Sequence, residues 1–506
     1  MADSLPHLPI LNALLRHSQG DYRGFHTPGH HSGQGIHPDL ADAWRTAGLQ
    51  LDLSEIPGLD NLAAPTAIIA QAQNLAAETF GAEKSWFLIN GSTVGISAAI
   101  MATCGPGDRI LVPRTIHQSV LSGMVLAGAK PVFMTPEYDP VWGLAFPLNP
   151  AQIEAALSHY PNTKAVLVIS PTYEGLCPDL VQIAQIVHQQ NIPLIVDEAH
   201  GSHFQFHPQL PMSAIQAGAD VVIQSTHKTL SALTQAGMLH QQGKRVSTTR
   251  ISQCLRVLQS SSPSYLLLAS LDIARYQMAS EGELLWDSVL GLADYFTHAL
   301  TRLPHSIQLS ADSLPLGITK DLTRQTLGTW PLAITGYRAD DYLDQHHHIT
   351  AELPTLNYLT FLLGLGHTPT DVNALVKGWQ QFIENMEKNH EQTYLYSQEW
   401  QTLNQVSQAS SSLEPITTPI LDLRTAFFSP QIKVTQAQAI HQVSAEWICP
   451  YPPGIPWLFP GEQITATIIE RLLAIQQAGG TITGASDPTL QTLMVTEPDP
   501  AFDIIL

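Results

Sequence analysis

Asp197 and Lys228 stand about thirty residues apart, in the strings Asp197-Glu198-Ala199-His200 and Ser225-Thr226-His227-Lys228-Thr229. Each string closes an apolar run, Ile192-Pro-Leu-Ile-Val196 before the carboxylate and Ala219-Asp-Val-Val-Ile223 before the serine. Runs of this kind read as buried parallel strands. Two such strands deliver an acid and an amine to one edge of a sheet. An enzyme that uses pyridoxal phosphate needs this pair. Its lysine holds the cofactor as a Schiff base, and its aspartate keeps the pyridine nitrogen protonated. A lysine at a buried strand end loses hydration, which lowers its pKa and favours the nucleophilic amine. Taken singly, Asp197 also reads as a helix cap and Lys228 as a solvated strand-end lysine.

Three further groups fit the same chemistry. Asn90-Gly91-Ser92-Thr93-Val94-Gly95 joins a strand to a helix. Free N–H groups and partial positive charge gather at a helix N-terminus, so a phosphate fits there, with the Ser92 and Thr93 hydroxyls as extra donors. A plain capped helix would look the same. His117 follows another strand and offers a ring to stack on a cofactor, or is simply a loop histidine. Glu462, in Pro460-Gly461-Glu462 after a proline-dense stretch, offers a carboxylate on a stiff loop for a distal cation, or is an exposed loop acid. The string Asp-Glu-Ala-His also suggests a helicase, but the phosphate loop Gly-x-x-x-x-Gly-Lys-Ser/Thr is missing. His346-His347-His348 is not expected to bind metal, because tetrahedral sites need convergent ligands rather than adjacent ones.

The elements that must position these residues alternate. Strand-like runs at Ser85–Ile89, Arg109–Val112, Pro131–Met134 and Ala165–Ile169 lie between helical stretches at Ala67–Phe80, Asn90 through Ala102, Ala151–His159 and Asp179–Gln189. Strands alternating with helices predict an α/β domain with a mostly parallel sheet. The expected organisation is an N-terminal arm over 1–60, a large domain over 61–330, a connecting helical region and linker over 331–420, and a small α+β domain over 421–506. In the arm, Leu8–Leu15 reads as a short amphipathic helix. Phe25-His26-Thr27-Pro28-Gly29-His30-His31 reads as a segment that lies on another surface. Gln405–Pro419 is the expected linker.

Composition agrees with a globular enzyme. The chain has 506 residues, 44% apolar and 13% charged, with a net charge of -20. That length exceeds one ordinary core. The acidic balance argues against nucleic acid and suits a small cationic substrate. Charged residues are scarce, so those inside apolar surroundings are informative. The four cysteines are far apart and read as reduced thiols in a cytoplasmic protein. No signal peptide or membrane-spanning run is expected.

Together these strings resemble the bacterial-type Orn/Lys/Arg decarboxylases, which have the aspartate-aminotransferase-like pyridoxal phosphate fold (type I). The likeness runs through Phe25–His30, Asn90–Thr93, Ser170-Pro-Thr-Tyr-Glu-Gly175, Asp197–Gly201, Ser225–Thr229, Ser262-Pro-Ser-Tyr265, and Tyr451 through Glu462. It implies a large domain with a mostly parallel sheet and a smaller α+β C-terminal domain. It also implies that Lys228 is the Schiff-base lysine and Asp197 the pyridinium partner. Ser92, Thr93, Ser225 and His227 match positions around the phosphate. His117 matches the ring-stacking histidine, with Ala199 on the opposite face, and His200 shares that cofactor-binding motif. Thr172 matches the position near the phenolic oxygen, and Glu462 the acid that meets the substrate's side-chain cation. Family members form homodimers, which implies that Ser264 and Tyr265 serve the neighbouring subunit's site. The implied reaction is decarboxylation of a basic L-amino acid, with lysine slightly favoured over arginine and ornithine and with Lys228 or His227 returning a proton. Another pyridoxal phosphate reaction on the same fold, or a non-catalytic regulator, is the alternative. The chain departs from the family pattern at His31, Thr115 and Glu174, and the resemblance is to the shorter members, so no N-terminal wing like that of the long members is expected.

Overall fold

The computed structural model describes residues 20, 22–408, 414–451 and 455–497. The expected Leu8–Leu15 helix lies outside the described residues. At the centre is an eight-stranded sheet. In spatial order its strands are Ile416–Thr417, Lys130–Met134, Arg109–Pro113, Thr163–Ile169, Leu194–Asp197, Val221–Gln224, Gly237–Gln241 and Lys84–Leu88. The five strands from Lys130–Met134 to Val221–Gln224 run parallel, and Gly237–Gln241 runs against both of its neighbours. Val196, Val222 and Ile223 are fully buried. This is why their stretches read as unbroken apolar runs rather than alternating ones.

Helices cover both faces of this sheet. Pro150–His159 starts at an Asn149–Gln152 capping box with proline in its first turn, and Leu180–Gln189 starts at an Asp179 cap. On the other face lie Gly91–Thr103 and Gln118–Ala127. The first of these is rich in small residues because it sits hard against the sheet. A Cβ on Gly95 would stand 2.6 Å from Leu88 Cδ1 and 2.9 Å from an Ile223 methyl. A 36-residue helix, Tyr265–Leu300, leaves the large sheet and packs with Ile68–Phe80 and Pro369–Lys388 around a separate core that includes Trp286, Phe296 and Trp379.

A second sheet, antiparallel throughout, orders Ile307–Gln308, Arg324–Gly328, Tyr358–Leu362 and Leu353–Pro354. It lies on both sides of position 330, so the stretch expected to be connecting helices also contributes strands. The expected linker also differs. Its start belongs to the helix His390–Gln408, and Ile416–Thr417 forms the edge of the large sheet beside Phe133–Met134. Beyond it, a compact unit has its own core of Ile448, Leu458, Ile464, Leu472 and Val495. That unit holds the helix Ala466–Gln477 and two antiparallel strand pairs, Gln431–Thr435 with Thr492–Thr496 and Cys449–Tyr451 with Thr481–Thr483.

Candidate active site

The parallel strands all end on one edge, where an α/β sheet leaves a crevice beyond its carboxyl ends. Thr163–Ile169 leads into Ser170–Thr172, Leu194–Asp197 ends on the acid, and Val221–Gln224 leads into Ser225–Lys228. Lys84–Leu88 runs the same way and leads into Asn90–Thr93, while Arg109–Pro113 leads into Arg114 and His117. One edge therefore gathers Ser92, Thr93, His117, Thr172, Asp197, Ala199, His200, Ser225, His227 and Lys228.

Lys228 is half-buried in the short helix Thr226–Thr229, and its Nζ lies 2.9 Å from His200 Nε2. It also lies 5.8 Å from the Tyr173 ring centroid. Burial lowers the Lys228 pKa, opposed by the charges of Glu352 and Asp197 and assisted by Arg324. Asp197 is 6% exposed, and its Oδ1 accepts the Ala199 amide at 3.1 Å. Burial raises its pKa, and Lys228 and that amide pull the other way.

The histidines here are neutral rings. Burial, with the Lys228 charge nearby, lowers His117 to about 4. His227 is also brought to about 4, mainly by burial. Its Nδ1 faces the Ala236 carbonyl at 3.0 Å. A carbonyl only accepts, so Nδ1 carries the ring proton and Nε2 keeps its lone pair. A neutral His227 therefore has no proton to donate from Nε2.

The residues fit pyridoxal phosphate. The helix Gly91–Thr103 begins without any side-chain cap, so its first N–H groups remain available to an anion. Gly91 turns there with φ 76°, and Ser225 Oγ donates to Ser92 Oγ at 2.6 Å, which brings two hydroxyls to the same helix end. The buried Asp197 carboxylate suits a pyridinium N–H.

Three expected residues sit in other company. Both oxygens of Glu462 are engaged. Arg114 Nη1 donates to Oε1 at 2.6 Å and Nη2 to Oε2 at 2.8 Å, and the Phe459 amide donates to Oε2 at 3.1 Å. Tyr265 donates its hydroxyl to the Asp60 carbonyl, and Ser264 caps the long helix through the Leu267 amide.

Two residues of this neighbourhood carried no motif. Arg324 is fully buried at the start of its antiparallel strand, with Nη2 2.5 Å from His200 Nδ1 and Nη1 3.6 Å from Glu352 Oε1. Glu352 also accepts the Thr27 amide at 2.9 Å. The scarcity of charge was the available signal, since an arginine that opens a buried strand needs a partner. The arm reaches the same place. The Gly29 amide donates to the His227 carbonyl at 2.9 Å, and a Cβ on Gly29 would meet the Lys228 carbonyl oxygen at 2.9 Å. His31 is buried against the His367 ring at 4.0 Å between centroids, with Asp371 3.9 Å away. Glu174 accepts the Tyr358 hydroxyl at 2.6 Å.

Comparison with known proteins decides the family. The profile described as "Orn/Lys/Arg decarboxylase, major domain" matches residues 8–321, and "Orn/Lys/Arg decarboxylase, C-terminal domain" matches 413–491. The chain belongs to the Orn/Lys/Arg decarboxylase family. An arginine decarboxylase of Bacillus anthracis is 37% identical over 96% of this chain and 97% of its own length. One from Bacillus subtilis is 34% identical over 97% and 98%. The solved lysine decarboxylase LdcF of Francisella novicida superposes with a TM-score of 0.77 at 22% identity, covering 98% of this chain and 82% of that one. The fold is therefore that of the type I pyridoxal phosphate enzymes, and the family reaction is decarboxylation of a basic amino acid. Among the described residues, no helix is long and apolar enough to cross a membrane, and no cluster of His, Cys, Asp and Glu could hold a metal ion.

Proposed function

We propose that this chain decarboxylates L-arginine to agmatine and carbon dioxide with pyridoxal phosphate as cofactor. The observation that carries the catalytic reading is the Lys228 amine, held 2.9 Å from His200 at the sheet edge where Asp197 ends its strand. Arginine replaces the lysine favoured from sequence because relatives spanning the whole chain are named arginine decarboxylases. The likeness to lysine decarboxylases at 22% identity concerns the fold alone.

When bound, the cofactor supplies an electron sink for the pair released as carbon dioxide departs. Ser92, Thr93, Ser225 and the first amides of Gly91–Thr103 would hold its phosphate. Asp197 would fix the charge on its ring nitrogen. His117 and Ala199 would line the place of its ring, and Thr172 the side of its phenolic oxygen. Lys228 would hold the cofactor through its amine and carry the proton that the substrate's Cα receives. His227, neutral and tied to Ala236, shapes the pocket beside it. Orientation and fixed charge are the protein's share of the work. The reading places the enzyme in the cytoplasm as a homodimer, with Ser264 and Tyr265 near the partner's site.

Purified protein loaded with pyridoxal phosphate is given arginine, lysine and ornithine separately, and amine and carbon dioxide are measured. Agmatine from arginine, with at least about 10³-fold loss in Lys228→Ala, is the expected result. Cadaverine or putrescine as the main product would move the substrate. Full activity in Lys228→Ala would remove the lysine from the chemistry.

A further inference from the structure

Arg324, His200 and Lys228 form a line of hydrogen bonds. Arg324 Nη2 lies 2.5 Å from His200 Nδ1, and His200 Nε2 lies 2.9 Å from Lys228 Nζ. A guanidinium has only donors and keeps its proton in proteins, so Nδ1 must accept. A neutral imidazole carries one proton, which then belongs to Nε2. That N–H points at Nζ. An ammonium has no lone pair to receive it, whereas an amine has one. We infer that Arg324, acting through His200, is a positioning residue that holds the unbound Lys228 side chain as a neutral amine, ready to capture the cofactor's carbonyl.

The surrounding groups allow this. From the strand Leu194–Asp197 and from the loop after Ile349–Ala351, Asp197 and Glu352 favour the charged lysine. Burial and Arg324, from the second sheet, oppose them. His200 cannot take a second proton easily. Burial pushes its pKa well below the usual imidazole value, and the Arg324 guanidinium adds to this. Glu352, 3.6 Å from Arg324 Nη1, orients the guanidinium, and the Thr27 amide holds Glu352 from the arm. Tyr173 lies against the His200 ring at 4.6 Å between centroids and limits its rotation.

The inference rests on Lys228 being the cofactor lysine, yet its test needs no turnover. Full-length, cofactor-free protein is labelled with ¹⁵N-histidine, and the His200 signals are identified by their absence in His200→Gln. The expected spectrum shows a protonated Nε2 and a bare Nδ1 at neutral pH. A proton on Nδ1 would overturn the relay, even if the Arg324 variants fail to fold. In parallel, acylation of Lys228 is followed against pH by mass spectrometry. In Arg324→Met the midpoint should climb by about one pH unit or more, roughly tenfold less amine at a given pH. Arg324→Lys should restore it. An unchanged midpoint in Arg324→Met would also overturn the inference. A chain that releases no carbon dioxide would sink the decarboxylase reading and leave both of these results standing.

Discussion

Glu462 was expected to meet the substrate's side-chain cation, and in the folded chain it meets Arg114. The pair is bidentate, 16% and 14% exposed at its two side chains, and the guanidinium also lies over the rings of Phe133 and Phe459 at 5.6 Å and 5.2 Å. Planar two-bond pairs of this kind are strong and geometrically specific. Arg114 leaves the large sheet and Glu462 belongs to the C-terminal unit, so the contact clamps one to the other. A charge left alone in such a place costs more than the pair contributes. Arg114→Met and Glu462→Gln should therefore each destabilise by about 2 kcal/mol, below the range for fully buried pairs. The double variant should lose less than the sum. Thermal unfolding of the four proteins checks this. A KM for arginine that rises in Glu462→Gln but not in Arg114→Met would return the carboxylate to the substrate.

At the scale of elements, one carboxylate organises the entry to the large domain. The helix Ile68–Phe80 begins at Ala67 with no side-chain cap of its own. Asp60 supplies one from a distance, accepting the amides of Ala67 at 2.7 Å and Ile69 at 3.1 Å and those of Asn61 and Thr66 as well. Those backbone bonds overcome the desolvation of a side chain only 6% exposed and hold its pKa at about 2. A depressed carboxyl contributes stability above its unfolded pKa, near 3.9, and loses it as pH falls through about 2. Asp60→Ala should cost about 1–2 kcal/mol at neutral pH, in the range of lost N-caps. Denaturation at pH 7 and pH 2 checks it, and the deficit should shrink at the lower pH. The large sheet was legible because its parallel strands are apolar on both faces. Leu194–Asp197 and Val221–Gln224 fell within two residues of their predicted runs. The second sheet was not. Arg324-Gln-Thr-Leu-Gly328 is fully buried yet mostly polar, with Thr326 paired to Thr360 at 3.0 Å across the strands. Period and hydrophobicity both miss such a strand, because its polar residues are buried by strands distant in the chain, Ile307–Gln308 on one side and Tyr358–Leu362 on the other. The site divides in the same manner. Residues at parallel strand ends could be read from sequence, whereas Arg324 arrives from the other sheet and Glu352 from the loop after Ile349–Ala351, both by long-range packing.

At the scale of the molecule, buried neutral histidines set the response to acid. Burial lowers His117, His227 and His367 to about 4 and His240 to about 3, and it carries His200 well below the usual value. Each binds its proton more weakly folded than unfolded, where the pKa is near 6.5. Their stabilisation is complete above about 6.5 and is lost as pH falls through about 4. Three carboxyls act in the opposite sense. Burial raises Glu198 to about 8, Asp340 to about 6 and Asp197 above its ordinary value, so their contribution is present in acid and lost as pH rises. Between pH 6.5 and about 4, five histidines outweigh these three acids. The melting temperature should therefore fall steadily from pH 7 to pH 5, by several degrees, in calorimetry on the cofactor-free protein. A flat or rising curve would mean that these rings are charged in the folded chain. His117, His200 and His227 belong to both the histidine set and the lysine site. Release of pyridoxal phosphate from the loaded protein should consequently follow the same descending limb, and His240→Gln, whose ring is hydrogen-bonded to Ser85 and Gln224, should flatten the melting curve without moving the release.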